Sequence, residues 1–296
     1  MTFLLRKTVK YILNFSILKK IRIKIRAIIS DIIRSELSTI NYKIDDINRI
    51  LYKNNYLENV NKAIDIELLA DSKIAFYSPD HLYPRGTLND DTRCPSFVFK
   101  TQSYFQGKCN HLDLGCAGGG LVYDFNQMGN FSLGIEGSDV SKLMSRANWK
   151  VLPNHLRTAD ITKNYKFISK ETGENFLFDI ITAWEVMEHI AEEDLFNMIS
   201  NISRNLRKDG LFVCSIATFP DYDPATGVQW HVTIQEKDWW IQKFSFHGFQ
   251  EFKDSPYEIK DFPRGSGNPL CREGSDWNAF SNPEKGFHLV LKKTSD

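Results

Sequence analysis

The chain reads as an α/β protein with a doubly wound, mostly parallel sheet behind a helical arm. Three observations predict this. Short apolar runs alternate with a stretch of helical periodicity between residues 109 and 296, the first run breaks into a glycine-rich turn, and residues 1–60 have a basic composition and helical spacing. The chain has 296 residues, a hydrophobic fraction of 42% and an aromatic fraction of 13%, enough for a sizeable core and against global disorder. Its formal net charge is zero, but residues 1–60 hold 12 Lys/Arg against 5 Asp/Glu, so a basic arm precedes a mildly acidic body.

In the arm, Ile33, Leu37, Ile40, Ile44, Ile47 and Leu51 are spaced 4, 3, 4, 3, 4. That is the period of a coiled-coil seam and points to a homo-oligomer through residues 31–55; it is equally the period of one amphipathic helix packed on its own domain. Residues 3–29 mix Ile, Leu and Phe with eight basic residues and no acid. Such a helix can lie on an anionic membrane surface, giving a peripheral contact through residues 1–30, or it can continue the arm as a solvated basic helix. It is not a membrane span, because Lys19, Lys20, Arg22, Lys24 and Arg26 interrupt its apolar runs. Nor does an apolar stretch lead into small residues suited to signal cleavage.

A lead-in occupies 61–108. Pro79, Pro84, Gly86 and the polar cluster from Asn89 to Arg93 predict loop structure, with polar side chains acting as caps or ligand contacts. The domain at 109–296 then shows apolar runs at 111–114, 132–135, 178–183 and 211–216, and a last strand at 286–291. Between the third and fourth, Leu195, Met198, Ile199, Ile202 and Leu206 have helical spacing, stopped by Arg207-Lys208-Asp209-Gly210. Residues 254–285, rich in Gly, Pro and Ser, are expected to cover an acceptor pocket as a lid.

The chemistry centres on Leu112-Asp113-Leu114-Gly115-Cys116-Ala117-Gly118-Gly119-Gly120. A strand runs into glycines and then a helix, so the backbone can approach a ligand closely and the helix N-terminus offers unpaired N–H groups. Glu136 ends the next strand, 21 residues after Gly115, where a carboxylate can accept both ribose hydroxyls of a nucleoside. Asp160 stands where a third strand should end and can accept from an adenine amino group. Either acid alone could be a helix cap; the glycine turn, Glu136 and Asp160 in this order make a nucleoside site.

These residues resemble the class I S-adenosylmethionine-dependent methyltransferases. Asp113-x-Gly115-x-Ala117-Gly118-Gly119 is similar to that family's first motif, and Gly134-Ile135-Glu136 to its second strand and ribose acid. The run from Asp179 to Ile190 is similar to its fourth strand and turn, and that from Leu206 to Val213 to the start of its fifth. The match covers about 109–292; Ala117 stands where glycine is common, and Asp209 where proline is usual. The resemblance implies a seven-stranded, Rossmann-like sheet and S-adenosyl-L-methionine as cofactor. Gly115, Cys116 and Gly118 would lie along its methionine part, Asp113 and Ala117 of the same motif would also bind the cofactor, and Glu136 would hold the ribose. Asp160 and Ile161 would hold the adenine, and Ala183, Trp184 and Glu185 would border the sulfonium. Arg93 is the candidate partner for the cofactor carboxylate.

Methyl transfer to a hydroxyl needs a base as well as alignment. His231, before what reads as a capping box at Thr233–Glu236, and His189, on one face with Glu185 if helical, are the catalytic candidates; His81 is a third. A metal site could be drawn from Glu185, His189 and a further ligand, but no tight ligand spacing supports it, and no metal ligands are assigned. Gln229-Trp230-His231-Val232-Thr233, Trp239-Trp240 and the lead-in look similar to a bacterial subgroup associated with cell-surface glycan gene clusters. That similarity implies a small-molecule or glycan acceptor hydroxyl and a part in polysaccharide biosynthesis. A nicotinamide-dependent oxidoreductase would use the same loop and acid but lacks its clean G-x-G-x-x-G here, and a non-catalytic assembly protein is the other alternative. Nucleic acid is disfavoured by the acidic body. Five scattered cysteines with no CxxC pair read as a reducing, cytoplasmic setting.

Overall fold

The computed structural model describes residue 29, residues 62, 63 and 65–263, and residues 285–294. By its contacts the chain divides into Met1–Asn55 and Tyr56–Asp296. The expected coiled coil at 31–55, the membrane-surface helix at 1–30 apart from residue 29, and most of the expected lid, 264–284, lie outside the described residues. Among the described residues no helix is long and apolar enough to cross a membrane.

The second unit is built on a seven-stranded sheet. Its strands, with a two-stranded ribbon, are β1 (Ile66–Ala70), β2 (Asn110–Leu114), β3 (Phe131–Glu136), β4 (Leu156–Thr158), β5 (Tyr165–Ser169), β6 (Phe178–Trp184), β7 (Leu206–Ala217), β8 (Phe249–Glu251) and β9 (Gly286–Lys293). The sheet order is β4-β3-β2-β6-β7-β9-β8, and β1 pairs with β5 separately. β4, β3, β2, β6 and β7 run parallel, while β9 is antiparallel to both β7 and β8. The chain moves from β2 outward to β4, then crosses back to β6 and β7. The order therefore reverses between β2 and β6, and a crevice opens at the strand ends there.

The central strands are buried on both faces, which is why their sequences run apolar rather than alternate. All six residues of β3 are buried. On β7, Phe212, Cys214 and Ile216 face one core layer and Leu211 and Val213 the other. The first layer is covered by α6 (Glu192–Asn205) through Leu195, Met198, Ile199 and Ile202, the periodic residues of the sequence. That helix stops at Asn205, and Leu206 already pairs with Phe178. The turn after it is made by Asp209 at φ 61, beside Gly210.

The lead-in is helical where its composition predicts loop. It forms α1 (Pro79–Leu82), α2 (Arg85–Asn89) and α3 (Pro95–Tyr104), ahead of α4 (Gly120–Gln127) and α5 (Val140–Leu143). Pro79 and Pro95 stand in the first turns of α1 and α3, where a missing N–H costs nothing, so they start helices rather than break them. The capping box expected at 233–236 is absent. α7 (Lys237–Ser245) is preceded by Glu236 with no side-chain cap, and the Thr233 hydroxyl donates to the Ile190 carbonyl instead, at 2.7 Å. Of the expected lid, residues 254–263 pack on α3, with Tyr257 stacked on Phe97 at 4.8 Å.

The lead-in lies directly on the glycine turn. A Cβ on Gly118 would sit 2.6 Å from Asp91 Oδ1, and one on Gly120 would sit 2.4 Å from the Thr92 carbonyl oxygen. These glycines make room for the protein's own chain. Gly120→Ala should therefore cost roughly 1–3 kcal/mol, the usual penalty for overpacking. Urea unfolding of the variant checks this, and an unchanged midpoint would contradict it.

Candidate active site

A cavity of about 640 Å³ occupies the crevice, within the range of sites that bury a small ligand. Each parallel strand contributes residues at or just past its C-terminal end: Gly115 and Ala117 after β2, Glu136 ending β3, Asp160 and Ile161 after β4, Trp184 and Glu185 at β6, and Trp230 and His231 after β7. The lead-in supplies the remaining wall through Phe76, Tyr77, Asp80, Arg85, Thr87 and Asp90.

Glu136 is the centre of the cavity's end beside the glycine turn. Its Oε2 accepts the Ala117 N–H at 2.7 Å, and its Oε1 accepts the Ser138 N–H at 3.3 Å and the Thr87 hydroxyl at 3.4 Å. Burial pushes its carboxyl up, and the Ala117 and Ser138 N–H groups pull it back. A carboxylate has about four acceptor positions, so capacity remains for ribose hydroxyls. Ala117 stands at φ 43. Its carbonyl accepts the Trp149 indole N–H at 2.8 Å, so both peptide groups flanking this strained residue are held. Asp160 uses Oδ1 to cap the Thr162 N–H and hydroxyl, leaving its second oxygen for a ligand.

Five of the expected cofactor-binding residues fall outside the cavity wall. Asp113 is buried within the sheet, its carboxyl pushed up to about 7 by burial, and it accepts the Thr182 hydroxyl at 2.6 Å. Cys116 packs against Gly134, Ala183 belongs to the core, and Gly118 faces Asp90 and Asp91. Arg93 is paired with the buried Asp124 at 2.6 Å and lies over the Tyr123 ring. The cationic side chain that does line the cavity from the lead-in is Arg85, ion-paired with Asp221 and 4.2 Å above Trp230. Nothing in the sequence separates the two arginines, because the choice depends on Asp124 one helix away.

At the other end, His189 and His231 meet edge to face with ring centroids 4.9 Å apart. His189 does not share a helix face with Glu185: Met187–His189 is one 3-10 turn, and Glu185 stands at φ 56. His189 Nδ1 contacts Asp80 Oδ2 at 2.9 Å. Burial alone would lower His189, but Asp80, with Glu188 and Glu185 behind, outweighs it and lifts the ring to about 9. His231 moves down, through burial and the charge of His189. Its Nδ1 lies 2.6 Å from the Phe219 carbonyl, which can only accept, so Nδ1 carries the proton and Nε2 a lone pair. Of the two rings, His231 is thus the neutral base near pH 7 and His189 the cation. His81 lies outside the wall, with its Nδ1 3.2 Å from the Ser138 hydroxyl.

Glu188 completes this cluster. It is fully buried, accepts the Ala217 N–H at 3.0 Å through Oε1, and its Oε2 has no protein partner. Burial and Glu185 drive its carboxyl upward. Glu188, His189 and His231 each offer an atom within 4.8 Å of the others, so a cation could be held among them, a grouping that linear spacing did not reveal.

The glycine turn decides against a dinucleotide. In nicotinamide enzymes the pyrophosphate rests on the helix N-terminus after this turn. Here Asp91 and the Thr92 carbonyl occupy that approach, and the Gly118 N–H donates to the Asp90 carbonyl at 3.2 Å.

Residues 56–253 match the family described as "Methyltransferase domain". The chain is 31% identical over 199 residues to a ubiquinone biosynthesis O-methyltransferase from Sinorhizobium fredii, covering 62% of this chain and 72% of that protein. It is 27% identical over 197 residues to the protein of the same name from Bartonella quintana, with the same shares covered. Among solved structures, an S-adenosylmethionine-dependent methyltransferase from Clostridium acetobutylicum aligns with a TM-score of 0.46 at 13% identity, over 70% of this chain and 93% of that one. The chain belongs to the methyltransferase-domain family and is a methyltransferase.

Proposed function

We propose that this enzyme methylates a hydroxyl group of a small molecule, with His231 as general base. The observation that carries this is the contrast between two touching imidazoles, one neutral with a free Nε2 at the cavity wall and one held as a cation by Asp80. Bound S-adenosylmethionine supplies a methyl group already activated on a sulfonium. Glu136 and Asp160 would hold its ribose and adenine, and the acidic wall of Asp80, Asp90 and Glu185 suits a cationic donor. His231 Nε2 takes the hydroxyl proton as oxygen attacks, and positive His189 then disfavours a second positive charge beside it. That repulsion keeps His231 a weak base, ready to release the proton to water.

An O-methyl product agrees with the activity in the names of the relatives above. A glycan acceptor, suggested by the residues around Trp230, is served less directly, because Arg85 already covers the indole face. Sugars therefore belong in the acceptor panel beside phenols. Association with an anionic bilayer through residues 1–30 and self-association through 31–55 are separate proposals. Deletion of residues 1–60 should alter vesicle binding or subunit number and leave S-adenosylhomocysteine affinity intact; loss of that affinity would refute this division of labour.

Glu188 favours a second arrangement. A divalent cation among Glu188, His189 and His231 would polarise the hydroxyl and replace the base, displacing the His189 proton. One experiment separates the two. With proton transfer to His231, His231→Ala lowers kcat by about 10²–10⁴. The wild-type rate should then fall as pH drops below the ordinary imidazole value of about 6.5 and be indifferent to a chelator. Chelator-sensitive turnover restored by added metal would transfer the role to the cation. Separately, Glu136→Gln should weaken S-adenosylhomocysteine binding in calorimetry about 10- to 100-fold, the scale of a hydrogen bond to a charged group. Unaltered binding would remove Glu136 from the site.

A further inference from the structure

We infer that Arg146 is a positioning residue for the cofactor, pinning the lead-in as the roof of the nucleoside pocket; this rests on the cavity being the S-adenosylmethionine site. Arg146 does not line that cavity, and no sequence motif includes it. Its Nη2 donates to two carbonyl oxygens of the lead-in, those of Thr87 and Asp90, at 2.5 Å each. Its Nε donates to the Ser141 hydroxyl at 3.1 Å, and that hydroxyl donates onward to the Thr87 carbonyl at 3.0 Å. Two residues on, Asn148 reaches Asp91 Oδ1 at 3.0 Å and, through its backbone N–H, the Gly118 carbonyl. The segment from Ser141 to Asn148 thus grips the lead-in at Thr87, Asp90 and Asp91.

Two features mark this as more than surface contact. Arg146 is flanked by Ser145 at φ 49 and Ala147 at φ 46, both left-handed and neither glycine. A pair of side-chain-bearing residues in that region is costly, and the conformation persists only where surrounding contacts demand it. Here it aims one guanidinium at two peptide carbonyls. What is pinned also matters. The Thr87 hydroxyl is a donor to Glu136, and the Asp90 carbonyl holds the Gly118 N–H. Thr87 and Asp90 both line the cavity. Releasing Arg146 would therefore loosen the ribose carboxylate and the roof together, without touching the cofactor.

Calorimetry with S-adenosylhomocysteine tests this at a temperature where each variant is folded. Arg146→Gln should raise Kd at least about tenfold, the change produced by 1.4 kcal/mol. Arg146→Lys should recover part of that, since one ammonium can serve one carbonyl. Protection of Arg85 and Arg93 from trypsin by S-adenosylhomocysteine, expected in the wild type, should be lost. Arg207→Gln, which breaks only the Arg207–Asp179 pair at the opposite end of the sheet, should leave Kd unchanged. A purely structural Arg146 would lower the melting temperature with Kd and protection kept, and that result overturns the inference. If Arg146→Gln does not fold, Ser141→Ala takes its place and must raise Kd measurably; an unaltered Kd there overturns the inference equally. Wild-type protein that fails to bind S-adenosylhomocysteine would instead sink the assignment of the cavity.

Discussion

The site depends on one buried carboxylate. Glu136 is 6% exposed, and a charge so placed persists only if donors surround it. The Ala117 N–H comes from the glycine turn, the Ser138 N–H from the next turn, and the Thr87 hydroxyl from the lead-in. Three segments far apart in sequence are thereby fixed on a single group at the end of β3. Hydrogen bonds to a charged group are worth about 1.5–3 kcal/mol each, enough to hold Ala117 at positive φ. The wall of the pocket and the group that would grip the ribose are therefore one construction.

The opposite end is organised by unequal surroundings of like groups. His189 and His231 touch, yet Asp80 raises one while burial and its neighbour's charge lower the other. Chemistry near neutral pH needs a group that can accept a proton and then give it up, and pairs driven apart in this way supply it. Asp80 belongs to the lead-in, so the same segment that supplies the Thr87 donor to Glu136 also sets the charge at the histidine end. His189 gains its proton on folding. Its contribution to stability is full below the free-imidazole value and is lost as pH rises through about 9.

Much of this was legible in the sequence because it rests on local pattern. The apolar runs of the central strands, the periodic face of α6, the glycine turn and Glu136 at a strand end all arise from spacing, and each lies where spacing placed it. What failed depended on partners distant in the chain. Pro79 reads as a loop signal but starts a helix, because turn and first-turn prolines look alike without the fold. Thr233 to Glu236 spells a capping box, yet the Ile190 carbonyl takes the threonine. Arg93 and Arg85 are equivalent in sequence, and only Asp124 and Asp221 tell them apart. The glycines after Ala117 signalled a ligand, but Gly118 and Gly120 accommodate residues 90–92. Glu188, in a run chosen for its strand, gave no sign of meeting two histidines.

The central claim is spatial: donor sugar at Glu136, reacting sulfur toward His231. A crystal structure of the S-adenosylhomocysteine complex tests it most directly. Both ribose hydroxyls should lie within hydrogen-bond distance of the Glu136 carboxylate, with the sulfur facing the end of the cavity walled by His231. Ribose oxygens lodged elsewhere, or a sulfur turned away from that imidazole, would contradict the account.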